Sequence, residues 1–205
     1  MDIDIDEFQY DALKEVGNVG IGNATTALSQ LIGKRIMVSL PSLMVVDTQG
    51  ITENTNNNEV VGTVIRIVGD ISGGCLIAFQ KGSADTFVDI LLKDTLYEND
   101  EEMRRSVLNE AANILAGSYF NALSKFLDMT VLPSLPSQTQ GSNSEIFKMV
   151  EDQLNCRIDH VLSLTTMFEV ENASANKTVE GDMFLLLDSK SLETILERID
   201  RMRTI

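Results

Sequence analysis

The chain of 205 residues has no Trp, one His, two Cys and three Pro, and only 5% of it is aromatic. Each shortage closes a route. Without Trp and with few rings, the core must be filled by aliphatics and by the nine Met, which adapt to irregular gaps. With a single His, no Ser–His or Cys–His catalytic arrangement is readable, and no metal cluster is visible. His160 lies among Ile158, Val161 and Leu162 without a ligand-type neighbour, so it reads as a structural or surface residue. Cys75 and Cys156 lie far apart with no CxxC, as expected of buried thiols in a reducing cytosol. Positive charge is also scarce. Sixteen Lys and Arg face thirty-one Asp and Glu, a formal net charge of −15, which opposes a nucleic-acid partner because phosphate repels it. No basic run or basic amphipathic helix suggests a membrane surface. No apolar run approaches a bilayer span, and the acidic stretch Met1–Glu7 is no signal peptide. A cytoplasmic protein is the expectation. The acidity serves solubility and can steer a basic patch of a protein partner toward the chain.

What is present is an internal repeat. DALKEVGNVGIGNATTALSQL, about Asp11 to Leu31, and SVLNEAANILAGSYFNALSKF, about Ser106 to Phe126, both read as helices. Each places a Glu three residues before an Asn: Glu15 and Asn18, then Glu110 and Asn113. A short polar residue, Asp11 or Ser106, precedes each Glu by one turn. A Gly follows each Asn by four positions, Gly22 and Gly117, and a Pro, Pro41 or Pro136, lies twenty-two intervening residues beyond each Asn. At about 3.6 residues per turn these positions share one helix face. A separate apolar stripe runs through Leu13, Val16, Gly20, Ala24, Ala27 and Leu31, and through Leu108, Ala111, Leu115, Tyr119, Ala122 and Phe126. A lone E-x-x-N on a helix is ordinarily solvated surface. Surface residues of a diverged repeat should drift, so agreement in type and spacing calls for a cause beyond solvation.

Along the chain, Gly20 and Gly22 each cost a helix about 1 kcal/mol relative to Ala, which implies close approach of another backbone. Gly33 is a C-cap candidate. Ile36–Leu40 reads as a strand that Pro41 ends or bulges, and Leu43–Val46 resumes it. ITENTNNNE is a polar loop. Val60–Val68 and Cys75–Phe79 form a hairpin around the turn at Asp70–Gly74. Ser83 is an N-cap candidate for a helix to about Leu92, and DTLYENDEE is an acidic link. In the second half, Met129–Leu132 is a short strand and Ser137–Asn143 a polar loop. Ser144 to about Leu154 is a short amphipathic helix. Val161–Val170 and Val179–Leu187 form a hairpin around NASANK, and Ser189 or Ser191 caps a last helix to about Met202. The offset between halves grows from 95 at the Asn pair to 108 between Gly73 and Gly181, so the second half carries an insertion after Pro136. The expectation is an α+β fold in which residues 1–205 form a single domain of two pseudo-symmetric helix–strands–helix halves, about 8–95 and 103–203, sharing one β-sheet. Symmetry already within the chain makes a monomer the expected state. G17-N-V-G20-I-G22 lies inside a helix and is discounted as a nucleotide fingerprint.

Asn is a poor acid, base or nucleophile, but its neutral amide can hold a water in place. A Glu one turn away can accept a hydrogen bond or pair with a cation. If the pair is catalytic, the difficult chemistry must come with the substrate. A phosphorylated partner carrying its own divalent metal fits, since phosphoryl transfer needs positioning and electrostatics above all.

Asp11-x-x-x-Glu15-x-x-Asn18 with Pro41, and Ser106-x-x-x-Glu110-x-x-Asn113 with Pro136, resemble the double signature of the CheC family of chemotaxis phosphatases. Its relatives are the CheX phosphatases and the phosphatase part of the flagellar switch protein FliY. NVGIGNATTALSQLIGK and NILAGSYFNALS also look like CheC, and the resemblance covers nearly the whole chain. Ala112 stands where a Gly is common and Ile21 where an Ala is common. The sequence stops at Ile205 before any switch-type domain, which makes plain CheC the expected match.

The resemblance implies an enzyme that hydrolyses the aspartyl phosphate of the response regulator CheY. Asn18 or Asn113 would enter CheY's pocket, where Mg²⁺ is expected, and orient the in-line water. The chain itself would need no cofactor or metal. Glu15 or Glu110 would bridge to a Lys of CheY, Asp11 and Ser106 would support the helix face, and Pro41 and Pro136 would be structural. It also implies a complex with the receptor deamidase CheD, for which the helix near Ser144–Leu154 is the candidate contact. The alternative is a mainly non-catalytic adaptor that binds CheD or the flagellar switch.

Overall fold

The computed structural model describes residues 5–33, 35–47, 59–93, 95–154, 158–170 and 177–203. The expected loop ITENTNNNE, apart from Glu59, the turn NASANK, apart from Lys177, and Cys156 lie outside them. In chain order the elements are α1 (Glu7–Ile32), β1 (Ile36–Asp47), β2 (Glu59–Gly69), β3 (Gly73–Gln80), α2 (Lys81–Leu92), α3 (Glu101–Leu127), β4 (Val131–Pro133), β5 (Ser137–Ser142), α4 (Asn143–Leu154), β6 (His160–Val170), β7 (Lys177–Leu187) and α5 (Ser189–Met202). The fold is α+β, and the seven strands form one sheet in the order β1-β6-β7-β3-β2-β4, with β5 also pairing β2.

That order is the sequence repeat written in space. The strand after α1 lies at one edge and the strands after α3 at the other, while the hairpins β2–β3 and β6–β7 meet at the centre through β3 and β7. Leu76 and Phe184, equivalent by the 108-residue offset, stand opposite one another in that central pair. An approximate two-fold axis therefore runs through the middle of the sheet. Every pairing in the described residues is antiparallel.

On one face, α1, α2, α3 and α5 close over the main core, which includes Leu13, Val16, Ile65, Ile77, Leu115 and Leu185. Phe79, Phe87 and Phe168 cluster inside it with ring centroids 5.0 to 5.6 Å apart. Each long helix is tied near its start to the closing helix of the opposite half. Gln9 of α1 donates to the Asp200 carboxylate of α5 at 3.1 Å, and Arg104 of α3 pairs with Asp89 of α2 at 2.7 Å. On the other face, Ile146, Val150 and Leu154 of α4 cover Val60, Val64, Leu76, Ala78 and Leu186. α4 lies in the stretch inserted after Pro136. Its apolar stripe is turned inward, which leaves Met149 and the helix's charged residues to meet any partner.

Several local expectations need correction. α1 begins at Glu7, so Asp11 lies inside the helix and Asp6 is its cap, in a box with Gln9. α3 begins at Glu101 rather than Ser106, because Asp100 accepts from the amides of Glu102 and Met103. Ser83 is not a cap; α2 starts at Lys81 with no side-chain cap. α5 is capped by Asp188, not by Ser189 or Ser191; the Ser191 amide donates to Asp188 at 2.7 Å. The polar stretch from Ser137 is not a loop but strand β5, which pairs β2 by backbone bonds and buries Thr139. The short strand expected over Met129–Leu132 lies at Val131–Pro133. Leu31 is 49% exposed while Leu28 is buried; Leu31 stands in the last turn of α1, two residues before its cap at Gly33. Phe126 is only partly buried against the core. Gly33 does cap α1, with φ +67°. Pro41 does mark a bulge: β1 runs through it, with a register shift against β6 between Ser39 and Ser42. β1 is a sheet edge, where a missing ladder donor is tolerated.

Candidate functional site

The two Glu–Asn pairs lie on the outer faces of α1 and α3. In α1, Leu13, Val16, Gly20 and Ala24 are buried, while Asp11, Glu15, Asn18 and Gly22 are exposed. In α3, Leu108, Ala111, Leu115 and Tyr119 are buried, while Ser106 and Glu110 are exposed and Asn113 and Gly117 half-buried. The step of about 3.6 residues per turn does this sorting. Among the described residues, neither amide makes a side-chain hydrogen bond, and neither do Glu15, Glu110, Asp11 or Ser106. Each helix thus presents a carboxylate and a free amide outward. Pro41 sits in the β1 bulge, and Pro136 in the corresponding break between β4 and β5.

The expected close approach of backbones is found at one glycine of α1. A Cβ on Gly20 would lie 2.8 Å from the Tyr119 Cα and 3.4 Å from the Ser118 carbonyl oxygen. Glycine there lets α1 and α3 pack against each other. A Cβ on Gly22 or Gly117 would meet nothing within 4 Å, so packing does not account for either.

Other polar and thiol groups among the described residues lie apart from the two pairs. The Ser189 hydroxyl donates to Asp159 at 3.0 Å and stands 3.3 Å from Nε2 of His160. Asp159 here accepts a hydrogen bond from the Ser hydroxyl, whereas in a hydrolase triad the carboxylate accepts from the imidazole. Cys75 is buried, and burial pushes its thiol up to about 12, far from a reactive thiolate. No group of His, Cys, Asp and Glu among the described residues is arranged to hold a metal. No described helix is long and apolar enough to cross a membrane. A cavity of about 280 Å³ beside the start of α3 is lined by Lys81, Asp85, Arg104, Arg105, Gln138 and Gln140, among others, and includes neither Glu–Asn pair. The pairs stand on open helix surface, which suits a macromolecular visitor better than an engulfed small molecule.

The chain is similar to several known proteins. Residues 61–157 match the family described as chemotaxis phosphatase CheX, and residues 8–45 match the CheC-like family. The CheY-P phosphatase CheC of Bacillus subtilis is 25% identical over 197 residues, covering 93% of each chain. Among solved structures, Thermotoga maritima FliY has the same fold, with a TM-score of 0.75 at 19% identity over 97% of this chain and 99% of that one. So does the FliM middle domain from H. pylori, with a TM-score of 0.64 at 11% identity over 95% and 99%. A scaffold common to differently named proteins does not itself specify chemistry. The CheC-like match encloses Glu15 and Asn18, and the CheX match encloses Glu110 and Asn113. One family match thus lies around each pair, and the fold is held in common with Thermotoga maritima FliY along nearly the whole chain.

Proposed function

We propose that the chain hydrolyses the acyl phosphate of a phosphorylated CheY-type response regulator. The observation that supports this most is that both Glu–Asn pairs lie on outer helix faces and, among the described residues, make no side-chain hydrogen bond. An amide so placed keeps its carbonyl oxygen and N–H groups for a visitor. In the docked complex, Asn18 or Asn113 enters the regulator's phosphorylation pocket. Its carboxamide accepts a hydrogen bond from water and holds that water in line with the phosphorus, opposite the aspartyl oxygen. The water attacks, the acyl–phosphate bond breaks, and the aspartate leaves as a carboxylate. Holding a reactant in near-attack geometry can lower a barrier by several kcal/mol, up to about 7 to 11 in the best intramolecular cases. Any magnesium would be held by the regulator's own pocket and would supply charge screening at the phosphoryl oxygens.

Glu15 or Glu110, one turn from its Asn, pairs with a Lys of the regulator and fixes the approach. Asp11 and Ser106 extend the same face by one further turn, as contact residues rather than internal supports. Pro41 and Pro136 shape the edge segments and stay clear of the chemistry.

The direct test is phosphate release from the phosphorylated regulator. The wild-type chain accelerates it, and the double variant Asn18→Ala, Asn113→Ala leaves the regulator at its own rate while melting as wild type. Acceleration retained by the double variant rejects the reading. In the adaptor alternative, CheD or the flagellar switch binds tightly whether or not the two Asn are present, and the wild-type chain gives no acceleration.

A further inference from the structure

We propose that Gly22 and Gly117 are the seats on which the regulator's backbone rests, so that the missing side chain one turn after each Asn sets how deeply that Asn enters the pocket. The inference rests on the phosphatase reading and names further specificity-determining positions for it.

Glycine is poorly suited to a helix interior, and the usual reasons for keeping it are absent at these two sites. Neither residue has a positive φ. A Cβ built on either would meet nothing within 4 Å. Gly20, two residues away, is the internal control: there the same atom would strike the Tyr119 backbone at 2.8 Å. One glycine is therefore required by the fold, and the other two are not. Yet it is the two unrequired glycines that recur in both halves, each four residues after an Asn and on the same face. The demand must come from outside the chain, and close backbone approach is what glycine permits.

The occupant follows from continuity with the Glu–Asn face. For an Asn side chain to reach another molecule's phosphoryl group, the helix backbone must come close to that molecule. A side chain at the next turn of the same face would hold the helix off. A second copy of this chain is disfavoured, since each copy carries a net charge of −15.

The experiment isolates each seat. Gly22→Ala and Gly22→Leu are made beside Asn113→Ala, and Gly117→Ala and Gly117→Leu beside Asn18→Ala. Melting temperatures should hold or rise, since both replacements favour helix. At the same time kcat/KM for phosphate release should fall about tenfold for Ala and on the order of a hundredfold for Leu, the scale of a misplaced reacting group. The Ala effect should appear in kcat as well as in KM, because a shallower Asn misplaces the water it holds. A second measurement needs no hydrolysis: titration of the Asn18→Ala, Asn113→Ala chain with regulator carrying beryllofluoride in place of phosphate. Adding Gly22→Leu and Gly117→Leu should weaken that binding at least tenfold. Unchanged kcat/KM and unchanged binding in folded leucine variants would overturn the proposal. Failure of the phosphatase reading looks different: the wild-type chain itself gives no acceleration, and the beryllofluoride titration still decides whether the glycines seat the regulator.

Discussion

The two long helices agree on the side that the fold leaves alone and differ on the side that the fold uses. Outward, α1 carries Asp11, Glu15, Asn18 and Gly22, and α3 carries Ser106, Glu110, Asn113 and Gly117. Inward, where α1 has the small Gly20 and Ala24, the equivalent positions of α3 are Leu115 and Tyr119. Packing explains the inner difference. A close-packed interface needs complementary shapes, not matching ones, and the Tyr119 backbone rests where Gly20 has no side chain. No polar partner explains the outer agreement, because those side chains make no hydrogen bond or ion pair in the described residues. What two diverged halves keep without a structural reason is the place to look for a visitor.

The contrast can be broken first at the inner surface, where the largest stability change is expected. Gly20→Ala drives a methyl into the Tyr119 backbone, and overpacking of this kind typically costs about 1 to 3 kcal/mol. Chemical denaturation should show that loss, while Gly22→Ala, two residues along, shows none. Equal stability of the two variants would remove the distinction between required and unrequired glycines.

The sequence made both faces of each long helix legible, but not which inner residue meets which. A period of about 3.6 residues puts Glu15 with Asn18 and Glu110 with Asn113 on one face without knowledge of the tertiary fold. The bulge at Pro41, the hairpins and the cap at Gly33 were legible for similarly local reasons. β5 was not. SQTQGS is polar throughout, and only its backbone pairing with β2 makes it a strand. The caps at Asp6, Asp100 and Asp188 were missed because each lies in a run of several acidic or hydroxyl residues, any of which could cap. Spacing alone also could not tell Gly20 from Gly22, since the difference lies in what the other helix places opposite each.

A smaller effect is expected at Tyr119 itself. Its hydroxyl is buried with no hydrogen-bond partner among the described residues, and burial, with Cys75 nearby, pushes its ionisation above the ordinary tyrosine range. Its equivalent in α1 is Ala24, which has no polar group to strand. Tyr119→Phe should raise stability by about 1 kcal/mol, part of the usual cost of an unsatisfied buried group. A loss on denaturation would mean that the hydroxyl is satisfied after all.

The smallest expected effect concerns the far face of the sheet. Gly74 of β3 leaves room for Leu154 of α4, whereas its equivalent in β7 is the half-buried Asp182. Burial raises the Asp182 carboxyl above its ordinary range; a hydrogen bond with Thr165 opposes this, and Glu180 adds to it. The folded state therefore holds this proton to higher pH than the unfolded chain, whose carboxyl titrates near about 3.9. Stability from this group falls as pH rises from the unfolded value through the folded one, and stays lower above it. Asp182→Asn should flatten that fall and melt higher than wild type at neutral pH. The two proteins should converge in acid, as checked by thermal melts across the acid range.

The central claim is that the outward amides position the attacking water, and its most direct measurement is single-turnover phosphate release by the wild type, Asn18→Ala, Asn113→Ala and the double variant. Each single variant should keep the contribution of its intact half, and the double variant should fall to the rate of the regulator alone. A double variant as fast as wild type, with its fold intact, would contradict the account.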